Sequence, residues 1–209
     1  MKLTTLLVPL TCASLLAAGV SFAHDPMSGE KMKMHGPMNT AQVEKMTSSW
    51  PLASRDAIKS LTAKYGAPAA VTPDMAVWGK AGPWKRSIVF RNEVQHKFPK
   101  SHTDVMQQWL DYKAPASKYD ELAMYDGSVV MERTSGEMSA RCDTEAANFL
   151  AVNLAHEVAT GKRSVEDARK KYGEQIMAMM AKRPAPYTEK VMFSTPGATA
   201  DADRALPGM

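Results

Sequence analysis

Twice in this chain a pair of strand-like runs flanks a short glycine-bearing loop, and an antiparallel hairpin is the economical way to close each pair. Met75 to Trp78 and Trp84 to Val94 enclose the five-residue loop Gly79-Lys80-Ala81-Gly82-Pro83. In the second run Ile88 and Phe90 share one side, and Ser87, Val89 and Arg91 the other. Val129 to Thr134 and Glu137 to Cys142 flank Ser135-Gly136, which suits a tight two-residue turn. That turn sets Arg133 opposite Met138, Met131 opposite Ala140 and Val129 opposite Cys142. Val129, Met131, Met138, Ala140 and Cys142 then form the core-facing side.

Helical signals surround the hairpins. A short helix is expected from Thr40 to about Ser48. A second runs from Ser54, as cap, to Tyr65, stopped by Gly66 and Pro68, with Ala57, Ile58, Leu61 and Tyr65 on one face. Thr103 to Tyr112 carries Val105, Met106 and Trp109 at helical spacing, and Ser117 to Tyr125 reads the same way. Asp143 is placed to cap a long helix reaching about Thr160, with Ala147, Leu150, Ala151, Leu154 and Val158 as its buried stripe. Ser164 caps the last helix, which continues through Ala168, Tyr172, Ile176 and Met179. Two hairpins and several helices imply an α+β fold. It is a single domain over residues 40–182, with a four-stranded antiparallel sheet and helices packed on one side.

The ends differ in character. Lys2, an apolar stretch from Leu6 to Val20 and the small residues of Ser21-Phe22-Ala23 form the pattern of a secretory signal over residues 1–23, cleaved after Ala23, which implies a periplasmic protein. The stretch is broken by Pro9 and Gly19 and falls short of the roughly 20 apolar residues of a membrane span. Cys12 raises a lipid anchor as an alternative, although Thr11 precedes it and the apolar segment before it is short. Residues 24–39 have no apolar periodicity and read as a flexible arm. Residues 183–209, with Pro184, Pro186, Pro196, Gly197, Pro207 and Gly208, read as a disordered tail. The formal net charge of +4 is mild, and its basic residues are scattered, which argues against a nucleic-acid footprint. With Cys12 in the signal, Cys142 has no internal disulfide partner. A lone thiol is notable in an oxidising compartment, while a packed, inert cysteine is the commoner state.

The arm carries the most pointed chemistry. His24, Met27, Met32, Met34, His35 and Met38 put six soft or borderline ligands into residues 24–38. Thioethers on a segment that reaches no core have little packing to do, and they are good ligands for Cu(I) or Ag(I). Cleavage after Ala23 leaves the His24 amine beside its ring, a nitrogen pair suited to Cu(II). Against this, the chain has 16 methionines, so a plain linker in a methionine-rich protein is the rival reading. The arm resembles the methionine- and histidine-rich segments of periplasmic copper- and silver-handling proteins. The expectation is soft-metal binding, with a copper ion as cofactor, for buffering, tolerance or delivery to another periplasmic protein.

Elsewhere, His96 and His102 flank Lys97-Phe98-Pro99-Lys100-Ser101. A loop there brings both imidazoles to one ion, with Asp104 or Glu93 nearby, or leaves two surface histidines beside a turn; the spacing matches no zinc signature. These histidines are also the candidates for a hydrolase-type enzyme. His156 sits at the flank of the long helix's buried stripe, where a core role is expected. Trp50, Trp78, Trp84 and Trp109 either line an apolar ligand pocket, which makes a small-molecule binding module the alternative function, or fill the core. Arg86, Arg91, Glu93, Glu132, Arg133 and Arg141 put charges on strands, as cross-strand ion pairs or as a polar binding face. There is no Cys-x-x-Cys, no Cys-x-x-Cys-His, no His-Glu-x-x-His and no Gly-x-Ser-x-Gly, which lowers the case for an enzyme. Trp78 to Arg86, Tyr125-Asp126-Gly127 and Gly136 to Cys142 resemble a family of uncharacterised exported bacterial proteins. That resemblance spans roughly residues 45–175 and implies a shared fold, without a mechanism or functional residues.

Overall fold

The computed structural model describes residues 38–195 and 197–208. In chain order it forms α1 (Thr40–Thr47), α2 (Leu52–Tyr65), β1 (Ala70–Val71), β2 (Met75–Trp78), β3 (Arg86–His96), β4 (His102–Asp111), α3 (Tyr119–Tyr125), β5 (Val129–Glu132), β6 (Glu137–Cys142), α4 (Glu145–Ala159) and α5 (Val165–Met180). Short 3-10 turns at Ala116–Lys118 and Pro186–Thr188 complete it. The strands make one antiparallel sheet in the order β1-β2-β3-β4-β6-β5. The class is α+β, as expected, and both expected hairpins are present as β2–β3 and β5–β6.

The sheet has six strands rather than four. The helix expected over residues 103–112 is instead β4, His102–Asp111, at the centre of the sheet. Asp104, Met106, Gln108 and Leu110 are buried at alternate positions, which is strand periodicity. Two of those four are polar, so the hydrophobic pattern did not reveal it. Gln108 is satisfied inside: it donates to Ser87 Oγ at 2.9 Å and accepts from Asn148 Nδ2 at 2.9 Å. The β5–β6 register also differs from the expected one. Val129 pairs with Ala140 and Met131 with Met138, so the turn spans Arg133 to Gly136. A shift of two keeps every side chain on its face, and Val129, Met138, Ala140 and Cys142 are buried together as expected. Gly136 has φ +65°, and a Cβ there would lie 2.2 Å from the Thr199 backbone.

Local signals explain the helix starts. Asn39 and Gln42 form a reciprocal capping box on α1. Ser54 does not cap α2, which begins two residues earlier; its buried hydroxyl donates to Phe90 O at 2.7 Å and ties α2 to β3. Thr144, one residue after the expected Asp143, caps α4, and Ser164 caps α5 as expected. The stripe of α4 is buried, and so is most of its circumference, because β6, α3, α5 and the C-terminal segment surround it. That segment is not the disordered tail its prolines and glycines suggest. Its stretch from Tyr187 to Met192 is held by Asn153, whose amide donates to Tyr187 O and Lys190 O (3.0 and 2.8 Å) and accepts from Met192 N (2.8 Å). At the N-terminal end of α4, Glu145 accepts from Lys64, Tyr65 and Trp84 at 2.5–2.7 Å, locking the helix start to α2. Among the described residues, no helix is long and apolar enough to cross a membrane.

Candidate metal centre

Antiparallel pairing brings the chemistry together. His96, the last residue of β3, pairs directly with His102, the first of β4, and cross-strand partners share a face. Asp104 lies two residues on from His102, on the same side of the strand. Between Val89 and Val94 the β3–β4 register shifts, so that Phe90 to Glu93 lie against Val105 alone. That bulge sets which residues meet at the end of the sheet. The connecting loop is anchored by Gln95, whose amide donates to His102 O at 2.8 Å and Ser101 Oγ at 3.0 Å. Phe98 packs on Tyr172 with Arg169 stacked over it, and the Phe98–Pro99 bond is cis.

The result is a compact ligand set: His96, His102 and Asp104 each offer one ligand atom, all within 4.8 Å of one another. His96 Nδ1 is 3.2 Å from one oxygen of Asp104, and His102 Nε2 is 3.0 Å from the other. Nitrogen and oxygen ligands around a tetrahedral zinc ion lie roughly 3.3–3.6 Å apart, given bonds of about 2.0–2.2 Å. Yet His96 Nδ1 and Asp104 Oδ1 are buried without any hydrogen-bond partner. Close approach without hydrogen-bond alignment is what donors aimed at a common ion show. A buried unsatisfied polar atom otherwise costs about 1–3 kcal/mol.

An outer partner fixes the tautomer of His102. His102 Nδ1 lies 2.8 Å from Lys100 O; a carbonyl only accepts, so Nδ1 carries the hydrogen and the neutral ring presents its Nε2 lone pair to Asp104. His96 turns Nδ1 toward Asp104, and its Nε2 lies 3.8 Å from Asp126 Oδ1, too far for a hydrogen bond, so only the His102 tautomer is fixed by a partner. Metal-bound histidines commonly give their second N–H to a carbonyl or carboxylate in this way. Asp126 is itself held by the backbone N–H and hydroxyl of Ser128, at 2.9 and 2.8 Å; burial pushes its carboxyl up, against those two bonds. In the absence of an ion, the Asp104 carboxylate 3.0 Å away raises His102 above the ordinary histidine value. A proton on Nε2 is therefore the competitor of a metal.

Cys142 stands beside this set, brought to β4 by the Met106–Cys142 pair. Its Sγ is 3.3 Å from His102 Nε2 and 3.6 Å from Asp143 Oδ1. Burial, with Asp143 and Asp104 close by, pushes the thiol well above its usual range, so it is a neutral donor to Asp143. A cysteine nucleophile needs the thiol and the orienting carboxylate on opposite nitrogens of the histidine. Here Cys142 and Asp104 both face Nε2 while Lys100 O occupies Nδ1, so the arrangement suits an ion better than a nucleophile.

The remaining candidates are dispersed. His24, Met27, Met32, Met34 and His35 lie outside the described residues; Met38 is half-buried against the cluster of Val43, Trp50 and Ile58. Glu93 is exposed, and Asp104 is the carboxylate that joins the two histidines. His156 has a packing role, stacked on Phe193 at 4.3 Å with Nδ1 2.9 Å from Tyr112 Oη. Trp84 is stacked on Phe149 in one core cluster, Trp50 and Trp78 are buried in the other, and Trp109 carries Arg86 over its ring. No local motif marks Asp126 or Asp143 for chemistry: the turn before β5 brings Asp126 to His96, and Asp143 follows Cys142 at the end of β6. Comparison with family models, curated proteins and solved structures returned no match for this chain.

Proposed function

We propose that this protein is an exported metal-binding protein whose domain holds one divalent transition-metal ion, of the zinc type, through His96 Nδ1, His102 Nε2 and Asp104. The observation that carries the reading is the convergence of two imidazole nitrogens and a carboxylate within 4.8 Å, two of whose atoms are buried and unbonded. Imidazole and carboxylate are borderline and hard ligands, which favours a divalent ion over Cu(I) at this site. The methionine- and histidine-rich arm from His24 to Met38 is the second ligand source, and its thioethers suit the softer copper ion. Export rests on the pattern from Lys2 to Ala23. Buffering, tolerance or delivery of metal outside the cytoplasm is the role that joins these features.

Equilibrium dialysis against Zn(II) tests it. The full chain and a form lacking residues 24–38 each retain one tightly held zinc ion, whereas His102→Ala loses it. Unchanged zinc binding by His102→Ala overturns the domain site and moves the function to the arm.

A further inference from the structure

His96 and Asp104 line a cleft of 360 Å³ that also has Val94, Val130, Gln107 and Arg141 in its walls. Arg141 pairs across the strands with Gln107, whose amide is engaged by Ser139 Oγ at 2.9 Å. The guanidinium is anchored on one side only. It stacks over Phe90 at 4.3 Å and donates one Nη to Asn92 O at 3.2 Å, while its Nε is buried without a partner. No carboxylate forms an ion pair with it among the described residues.

An arginine held in this way is a fork with free donors. Its planar geometry matches carboxylate and phosphate oxygens. Three protein ligands leave an ion with an open position, as in sites that bind exogenous groups. A divalent ion and a guanidinium together outweigh the carboxylates of Asp104 and Asp126, which lies 3.8 Å from His96, and leave that cleft with a net positive charge. Two valines supply apolar wall, and the volume is that of a small organic ligand rather than a polymer.

Resting on the metal reading above, we propose that this cleft binds a small organic oxyanion, with one oxygen completing the ion's coordination and another held by Arg141. Carboxylates and phosphates share this head-group chemistry.

The test uses the full chain loaded with Co(II), whose visible spectrum reports its ligands, titrated with succinate and with inorganic phosphate. A saturable spectral change is expected with at least one of them, and the preferred anion identifies the head group. Arg141→Gln should keep the anion-free spectrum and weaken the anion about tenfold, since hydrogen bonds to charged groups are at stake. If Arg141→Gln does not keep that spectrum, Arg141→Lys, which retains charge without the fork, is judged by the same criterion. A Co(II) spectrum that neither anion alters, or equal titrations in wild type and variant, overturns the anion site and leaves the metal site standing. Absence of any bound Co(II) overturns the metal reading and this inference with it.

Discussion

Asp104→Asn separates a metal ligand from a structural ion pair. The carboxylate is 4 % exposed and one of its oxygens has no hydrogen-bond partner, so in the metal-free protein it is a cost once His102 is neutral. At a pH above the raised folded value of His102, replacing it with the neutral, isosteric amide should leave the metal-free protein as stable as wild type or up to about 1 kcal/mol more stable. With zinc at about 100 times Kd, binding to the folded state alone stabilises wild type by about 2.7 kcal/mol. For a domain of this size 1 kcal/mol moves Tm by about 2–4 °C, so the zinc shift is about 5–11 °C. An amide is a far poorer ligand, and the variant should shift by less than about 2 °C under the same conditions. Thermal unfolding followed by circular dichroism, with and without zinc, reads both numbers. An equal zinc shift in the two proteins refutes the ligand assignment, and a metal-free variant several degrees less stable shows that the Asp104 carboxylate serves the fold without an ion.

Three further outcomes follow. Because His102 is raised in the folded state, its pairing with Asp104 stabilises the metal-free chain fully below its unfolded pKa of about 6.5, and that contribution is lost as pH rises through the raised folded value; zinc affinity runs the other way, falling about tenfold per pH unit on acidification through the same window as one proton competes, which calorimetric titration at several pH values measures. Cys142→Ser should keep zinc affinity within about threefold, since a neutral thiol outside the ligand set contributes little, and a loss of two orders of magnitude in competition titrations would make Cys142 the fourth ligand. Glu145→Ala strips the buried Trp84 indole N–H and the Tyr65 hydroxyl of their acceptor and should cost about 2–4 kcal/mol in urea unfolding without altering metal stoichiometry.

Much of the fold was legible because its local signals agree with one another. Gly66 and Ser164 bound their helices where expected, and Gly79 to Pro83 and Gly136 mark the two hairpins. β4 was missed because Asp104 and Gln108 occupy inward positions, which breaks the apolar alternation that marks a strand. Gln108 is supported there by partners distant in sequence, Ser87 and Asn148, and Asp104 by the two histidines beside it. The site was legible in part. His96, His102 and Asp104 are near one another along the chain, and the loop between the histidines suggested their meeting. Asp126, Arg141 and Cys142 arrive through the β4–β6 pairing and the turn before β5. Those contacts depend on a bulge and a register that local sequence does not specify.

The central claim is tested most directly by crystals of the zinc-loaded protein measured at the zinc absorption edge. The account predicts one strong anomalous peak within about 2.2 Å of His96 Nδ1, His102 Nε2 and an Asp104 oxygen. A peak at other residues, or none there in crystals grown with excess zinc, contradicts it.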